Sequence, residues 1–184
     1  MLAAFSYEQK LALMAYELFF GSQYETSEDN KIRTAKHVEM QKMCYLLQVA
    51  GIDIGMFDFS WNIKGPFSPG LLALLHTIDR NNALLQGFYA NTCEKDELLL
   101  EYKDMISDLR SKLEIDKHKE NQLNWVELLG SLTYISRAML PGAGFDAVNS
   151  RLVFEKSKYR NKGENRHAWE ILKEVKFLFE VGSF

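Results

Sequence analysis

Phe57-Asp58-Phe59-Ser60-Trp61-Asn62-Ile63-Lys64-Gly65-Pro66-Phe67-Ser68-Pro69-Gly70 decides the reading of this chain, because the hydrophobic period changes within it. From 57 to 64 every odd residue is apolar and every even one polar, the alternation of a strand with one wet face. Gly65-Pro66 breaks that strand. In Ser68-Pro69-Gly70 the serine hydroxyl can accept from free N–H groups of a first helical turn, and proline at N1 loses no hydrogen bond. A helix over about 69–80 follows, with Leu71, Leu74, Leu75 and Ile78 on one face. Trp61 falls on the apolar side of the strand, and Phe67 stands at the corner behind Gly-Pro. Such a corner either locks a core or presents an aromatic anchor to a partner.

Outward from this stretch the chain reads as helix. Leu11, Met14, Ala15 and Leu18 follow Ser6, an N-cap, and predict a helix over about 6–20 that Gly21 stops. The polar, acidic stretch 22–30 reads as a loop, and Thr34 as the cap of a second helix over about 35–50. Residues 83–91, with Leu84, Leu85, Phe88 and Tyr89, read as a short strand pairing with 57–64, or else as more helix. Thr92 is read as the cap of a charged helix reaching to 120, whose seam is Leu98, Tyr102, Met105, Leu109 and Leu113. Residues 94–120 hold nine acids and six bases, so that helix is a solvated outer element. Trp125, Leu128, Leu129, Leu132, Ile135 and Met139 mark the most buried helix, about 122–139, which Asn121 caps and Pro141-Gly142 ends. Further helices are expected near 145–156 and 164–180, the last carrying Trp169, Leu172, Val175 and Phe179. The expectation is one mainly α domain over 1–184 with a small β element around 57–64.

Composition narrows the function. The 184 residues are 47% hydrophobic and 26% charged, ordinary globular usage able to support a core without disulfide or metal. Twenty-two bases against 25 acids leave a net charge of −3, which gives no global field toward nucleic acid or acidic membranes. The apolar runs fall far short of the ~18 residues that span a bilayer. The first ten residues lack a signal peptide's basic n-region and apolar h-region. Cys44 and Cys93 form no C-x-x-C pair. A soluble protein in a reducing cytoplasm is expected.

Few residues carry chemistry. His37, His76, His118 and His167 fall in four different elements, with no spacing that aims two imidazoles at one ion. No nucleophile elbow is present, Gly142-Ala143-Gly144 lacks the rest of a phosphate loop, and no acid falls in an apolar setting that would raise its pKa. The expectation is no enzyme, no cofactor and no metal, with stability unchanged by chelators. Arg151, Lys156, Lys158, Arg160, Lys162 and Arg166 against Glu155 and Glu164 give six bases and two acids, a local net of +4, with Phe154 and Tyr159 interleaved. That segment is either a solvated link between helices or a contact for an anionic partner.

The run Gln41-Lys42-Met43-Cys44-Tyr45-Leu46-Leu47-Gln48, followed by Phe59 to Pro69, resembles the Panacea, or SocA-like, antitoxin domain and its bacterial and phage relatives. Those proteins pair a Leu-Gln-Lys-Leu-x-Tyr helix with a Trp-x-x-x-Gly-Pro corner. The likeness extends over about 34–80 and 122–180, with the charged helix at about 92–120 as an insertion. Met40 replaces the usual leucine, and Phe67-Ser68 a valine-rich corner. The resemblance implies a helical domain with a small strand element and no cofactor, acting by protein binding: neutralising a toxin or presenting it to a protease. The partner-binding residues it suggests are Trp61, Lys64, Gly65, Pro66, Phe67 and Pro69. The alternative is a regulatory nucleic-acid module with a winged-helix-like element, touching phosphate through 151–166.

Overall fold

In the computed structural model, which describes residues 4–91 and 102–178, the chain is mainly helical with one small antiparallel hairpin. Helix α1 spans Tyr7–Phe20 and opens on a reciprocal cap: the Gln9 amide donates to Ser6 Oγ and the Ser6 amide to Gln9 Oε1. It ends at Gly21, where φ is 70°. Helix α2, Asn30–Val49, starts five residues ahead of the expected 35. Asp29, not Thr34, caps it, taking the amides of Lys31 and Ile32 on one oxygen, so part of the acidic stretch read as loop is a helix start.

Strand β1 covers only Ser60–Asn62, and Gly65-Pro66 does not end the β element but opens β2, Gly65–Phe67. Trp61 faces Pro66 across the pair, and Gly65, at φ 88°, closes the turn around Ile63-Lys64. Proline is tolerated because a two-stranded sheet has only edges. Ser68 then caps α3, Pro69–Asp79, as its sequence predicts. Residues 82–90 are a helix, α4 (Asn82–Ala90), and not a strand: Leu85 and Phe88 point inward on one helical face.

Helix α5, Lys103–Lys112, lies against α1 and leads through a 3₁₀ segment, Ile115–Asn121, into α6, Gln122–Tyr134. Its buried seam is Ile106, Leu109 and Leu113, while Met105 is 47% exposed, so the expected stripe is offset by one residue there. Thr92, Cys93, Leu98 and Phe179 lie outside the described residues. Helix α6 is the centre of the molecule, packed by α2, the hairpin and the two helices that follow, α7 (Phe145–Glu155) and α8 (Lys162–Glu174). Trp125, Leu128, Leu129, Leu132 and Ile135 are essentially inaccessible, as their spacing predicts. Residues 135–139 widen into a π turn closed by Leu140 N–H on Ile135 O. Helix α8 stops at Glu174, short of the expected 180, and Phe177 and Leu178 fold back into the core.

Candidate functional site: the hairpin corner and its cleft

Helix α2 carries Gln41, Tyr45 and Gln48 at intervals of four and three, which puts them on one face. Each meets the corner. Gln41 Nε2 donates to Ser68 O at 2.9 Å and its Oε1 accepts from Ser68 N at 2.8 Å. Gln48 repeats the arrangement on Phe57, both contacts at 3.1 Å. Two side-chain amides therefore stand in for a neighbouring strand at both ends of 57–68. This explains why the alternating stretch is longer than the strand: Phe57 pairs with a glutamine, not with a ladder. Tyr45 lies between them against Phe59 and Tyr134, with ring centroids 5.2 and 5.9 Å away.

Next to Gln41, Lys42 extends beneath the hairpin and donates from Nζ to Pro66 O at 2.5 Å. It is 1% exposed. The fit leaves no spare room, since a Cβ on Gly130 would lie 3.3 Å from Lys42 Cδ and one on Gly65 would lie 2.7 Å from Ser131 Oγ. Glu127 of α6 takes Lys156 on one oxygen at 2.7 Å and Lys158 on the other at 3.0 Å. Burial pushes the Lys42 amine down to about 7, helped by the neighbouring Lys156 and opposed by Glu127. Burial also lowers Lys156, to about 8, against the pull of Glu127. The buried charges of Glu127 and Lys156 balance, and Lys42 meets the Pro66 carbonyl, not a carboxylate. Glu127 is 4% exposed, and Glu39 on α2, 7% exposed, is bonded by the Tyr16 hydroxyl and by Gln122.

Beside this clamp the hairpin, α2 and α3 enclose a cleft of about 330 Å³, to whose lining Gln41 and Lys42 also contribute. Val38, Ile63, Phe67 and Leu72 supply apolar wall, and Lys64 stands on the rim. At one end His37 Nε2 lies 2.7 Å from Asp79 Oδ2, and the Tyr24 hydroxyl donates to Asp79 Oδ1 at 2.9 Å. His76 lines the same end, its ring centroid 5.3 Å from that of His37. Burial raises the Asp79 carboxyl, but hydrogen bonds from His37 and Tyr24 and the nearby Arg33 outweigh it and leave it lowered. A second convergence joins His167 to Glu114 at 2.8 Å beside His118, whose ring lies flat on Trp125. Histidines isolated along the chain thus meet in pairs, because the elements carrying them pack together.

The residues expected to meet a partner divide. Gly65 and Pro66 are buried and serve the corner from within; Trp61 and Phe67 are half-buried; Lys64 and Pro69 are exposed. Trp61 is held by its indole N–H on Glu155 Oε2 and by the Tyr134 ring. In the basic segment, Lys156 is interior and bound to Glu127, which removes it as a phosphate contact. Lys158 shares Glu127, Arg151 pairs with Glu155, and Lys162 and Arg166 both reach Asp146, while Arg160 is exposed. Two acids outside the segment, the buried Glu127 and the exposed Asp146, therefore answer about half of the local excess of +4. Gln41, Lys42, Glu127 and Ser131 are the parts of the site that sequence reasoning missed. The available signal was Gln-Lys set among Met40, Met43 and Cys44 on a helix with buried residues all round, where polar groups need internal partners. No family model, curated protein or solved structure matches the chain.

Proposed function

We propose that this chain is a non-catalytic protein-binding module of antitoxin or proteolytic-adaptor type, of bacterial or phage origin, that captures its partner at the hairpin corner and cleft. The observation that carries the reading is Ile63, an apolar side chain left 81% exposed at the tip of a hairpin whose base is bonded in place by Gln41, Lys42 and Gln48. An anchor held in advance loses little conformational freedom on binding, so more of its burial appears as affinity. Phe67 and Leu72 provide the adjoining apolar wall, and Lys64 a charged rim. The mechanism is steric: the partner's working surface is covered by this one. Gln41-Lys42 and Gly65-Pro66, the residues on which the Panacea-like resemblance rests, form the clamp beneath this anchor, which supports the same reading. A reducing cytoplasm suits it, since Cys44 is a fully buried free thiol whose pKa burial raises. Among the described residues no helix is long and apolar enough to cross a membrane.

Co-expression with the product of the adjacent open reading frame tests the proposal. A complex that co-elutes, and relief of any growth arrest that product causes, are expected, with both lost in Ile63→Asp. Salt-sensitive nanomolar binding to duplex DNA, abolished by alanine at Lys158, Arg160 and Lys162, would replace this reading with a nucleic-acid one.

A further inference from the structure

Helix α3 carries His76 and Asp79 three residues apart, so one turn puts both on the same face. Helix α2 brings His37 against that face, and one ligand atom from each of the three side chains lies within 4.8 Å of the other two. Two imidazoles and a carboxylate are the donor set of zinc and neighbouring divalent ions. The set has an outer support as well: Tyr24, 1% exposed, holds the second oxygen of Asp79 and fixes the carboxylate's orientation. His37 is buried at 8% and positioned by Asp79, whereas His76 is exposed and able to swing. Both line the cleft, so a fourth position opens into about 330 Å³ of space.

We propose that His37, His76 and Asp79 form a binding site for a zinc-type divalent ion, with three protein ligands and an open position facing the cleft. The ion would take the place of the proton between His37 and Asp79. Tetrahedral bonds of roughly 2.0–2.1 Å separate ligand atoms by about 3.3 Å, so the 2.7 Å contact opens by a few tenths of an ångström. Arg33 beside Asp79 and Lys64 across the cleft oppose a cation and weaken its binding. The other cluster is less suited, because Glu114 is already engaged by Lys117 and His118 is stacked on Trp125. This inference stands apart from the proposed function, since neither needs the other.

The test uses the full chain stripped with EDTA and titrated with zinc by calorimetry, and with cobalt(II) by visible absorption. Zinc binding that raises the melting temperature, and a tetrahedral cobalt spectrum, are expected. His76→Ala, at an exposed position, should keep the circular dichroism of the parent yet weaken zinc at least about tenfold, and Asp79→Asn should do the same. The double variant His118→Ala with His167→Ala should bind zinc like the parent. Absence of zinc binding, binding indifferent to His76→Ala, or binding lost only in the double variant would each overturn the proposal.

Discussion

The two faces of one hairpin are built by opposite means. Its inner face rests on Lys42, Glu127, Lys156 and Ser131, all buried and each bonded to a partner. Its outer face borders a cleft where Ile63 and His76 are open to solvent and the apolar wall is half covered. The inner charges contribute little net stability beyond what an apolar core of the same volume would, but they dictate one geometry, because any other leaves a charge unpaired in the interior. Rigidity at the back is what allows an exposed apolar side chain at the front to hold a fixed position. Changes on the inner face should therefore act on stability, and changes on the outer face on binding.

The largest effect is expected at the carboxylate that both lysines share. Glu127→Ala removes the counter-ion of Lys156, whose side chain is 3% exposed, so the amine must lie in the interior either charged and unpaired or stripped of its proton, and the variant should destabilise by about 3–5 kcal/mol in urea denaturation. A loss below about 1 kcal/mol would mean that Lys156 escapes to solvent, and the contrast between the faces would weaken.

Two glycines sharpen the geometric part. Gly65 and Gly51 both adopt positive φ, 88° and 78°, but a Cβ would clash with Ser131 Oγ only at Gly65 and meets nothing within 4 Å at Gly51. Backbone strain alone gives Gly51→Ala about 1 kcal/mol. Overpacking against α6 should bring Gly65→Ala to about 3 kcal/mol. Equal melting temperatures for the two variants would show that the corner yields easily.

These buried contacts also show what could be read along the chain. Ser6 and Ser68 were legible as caps, and the stripe from Trp125 to Ile135 as the core helix, because each is a pattern among residues less than a dozen apart. Residues 83–91 were not, since Leu84, Leu85, Phe88 and Tyr89 fit a helical face and a short strand alike, and packing on α3 decides between them. The alternation over 57–64 matches half-burial at Phe57, Phe59 and Trp61 but not at Ile63, which is 81% exposed, and it does not predict pairing: at Phe57 the partner is a glutamine side chain nine residues away. His37 meets Asp79 across 42 residues and Lys156 meets Glu127 across 29, separations at which spacing carries no information about contact.

Acid and base should distinguish the inner face by sign. A free lysine titrates near 10.4, whereas Lys42 in the folded chain titrates near 7 and Lys156 near 8. Between those values the unfolded chain binds protons that the folded one has released, so stability rises with pH from about 7 toward 10. Above about 10 it should fall again, because burial holds the Tyr16, Tyr24 and Tyr159 hydroxyls protonated in the fold after the unfolded chain has lost those protons. Urea midpoints measured across this range should follow that dome, and Lys42→Met should flatten its rising side. A monotonic decline from pH 7 would show that Lys42 stays charged beneath the hairpin.

The smallest change in stability should accompany the largest change in binding. Ile63 is 81% exposed at the hairpin tip, so Ile63→Asp removes almost no buried surface and should alter stability by no more than about 0.5 kcal/mol. Phe67→Ala, taken from the half-buried cleft wall, should cost somewhat more but still fold, while Trp61→Ala loses the Glu155 hydrogen bond and the Tyr134 contact and should be the least stable of the three. The order Ile63, Phe67, Trp61 for stability should invert for loss of partner capture measured at a temperature where all three are folded. Capture that instead follows stability would place the anchor at Trp61, on the buried side of the strand, and would remove the division between a supporting face and a binding one.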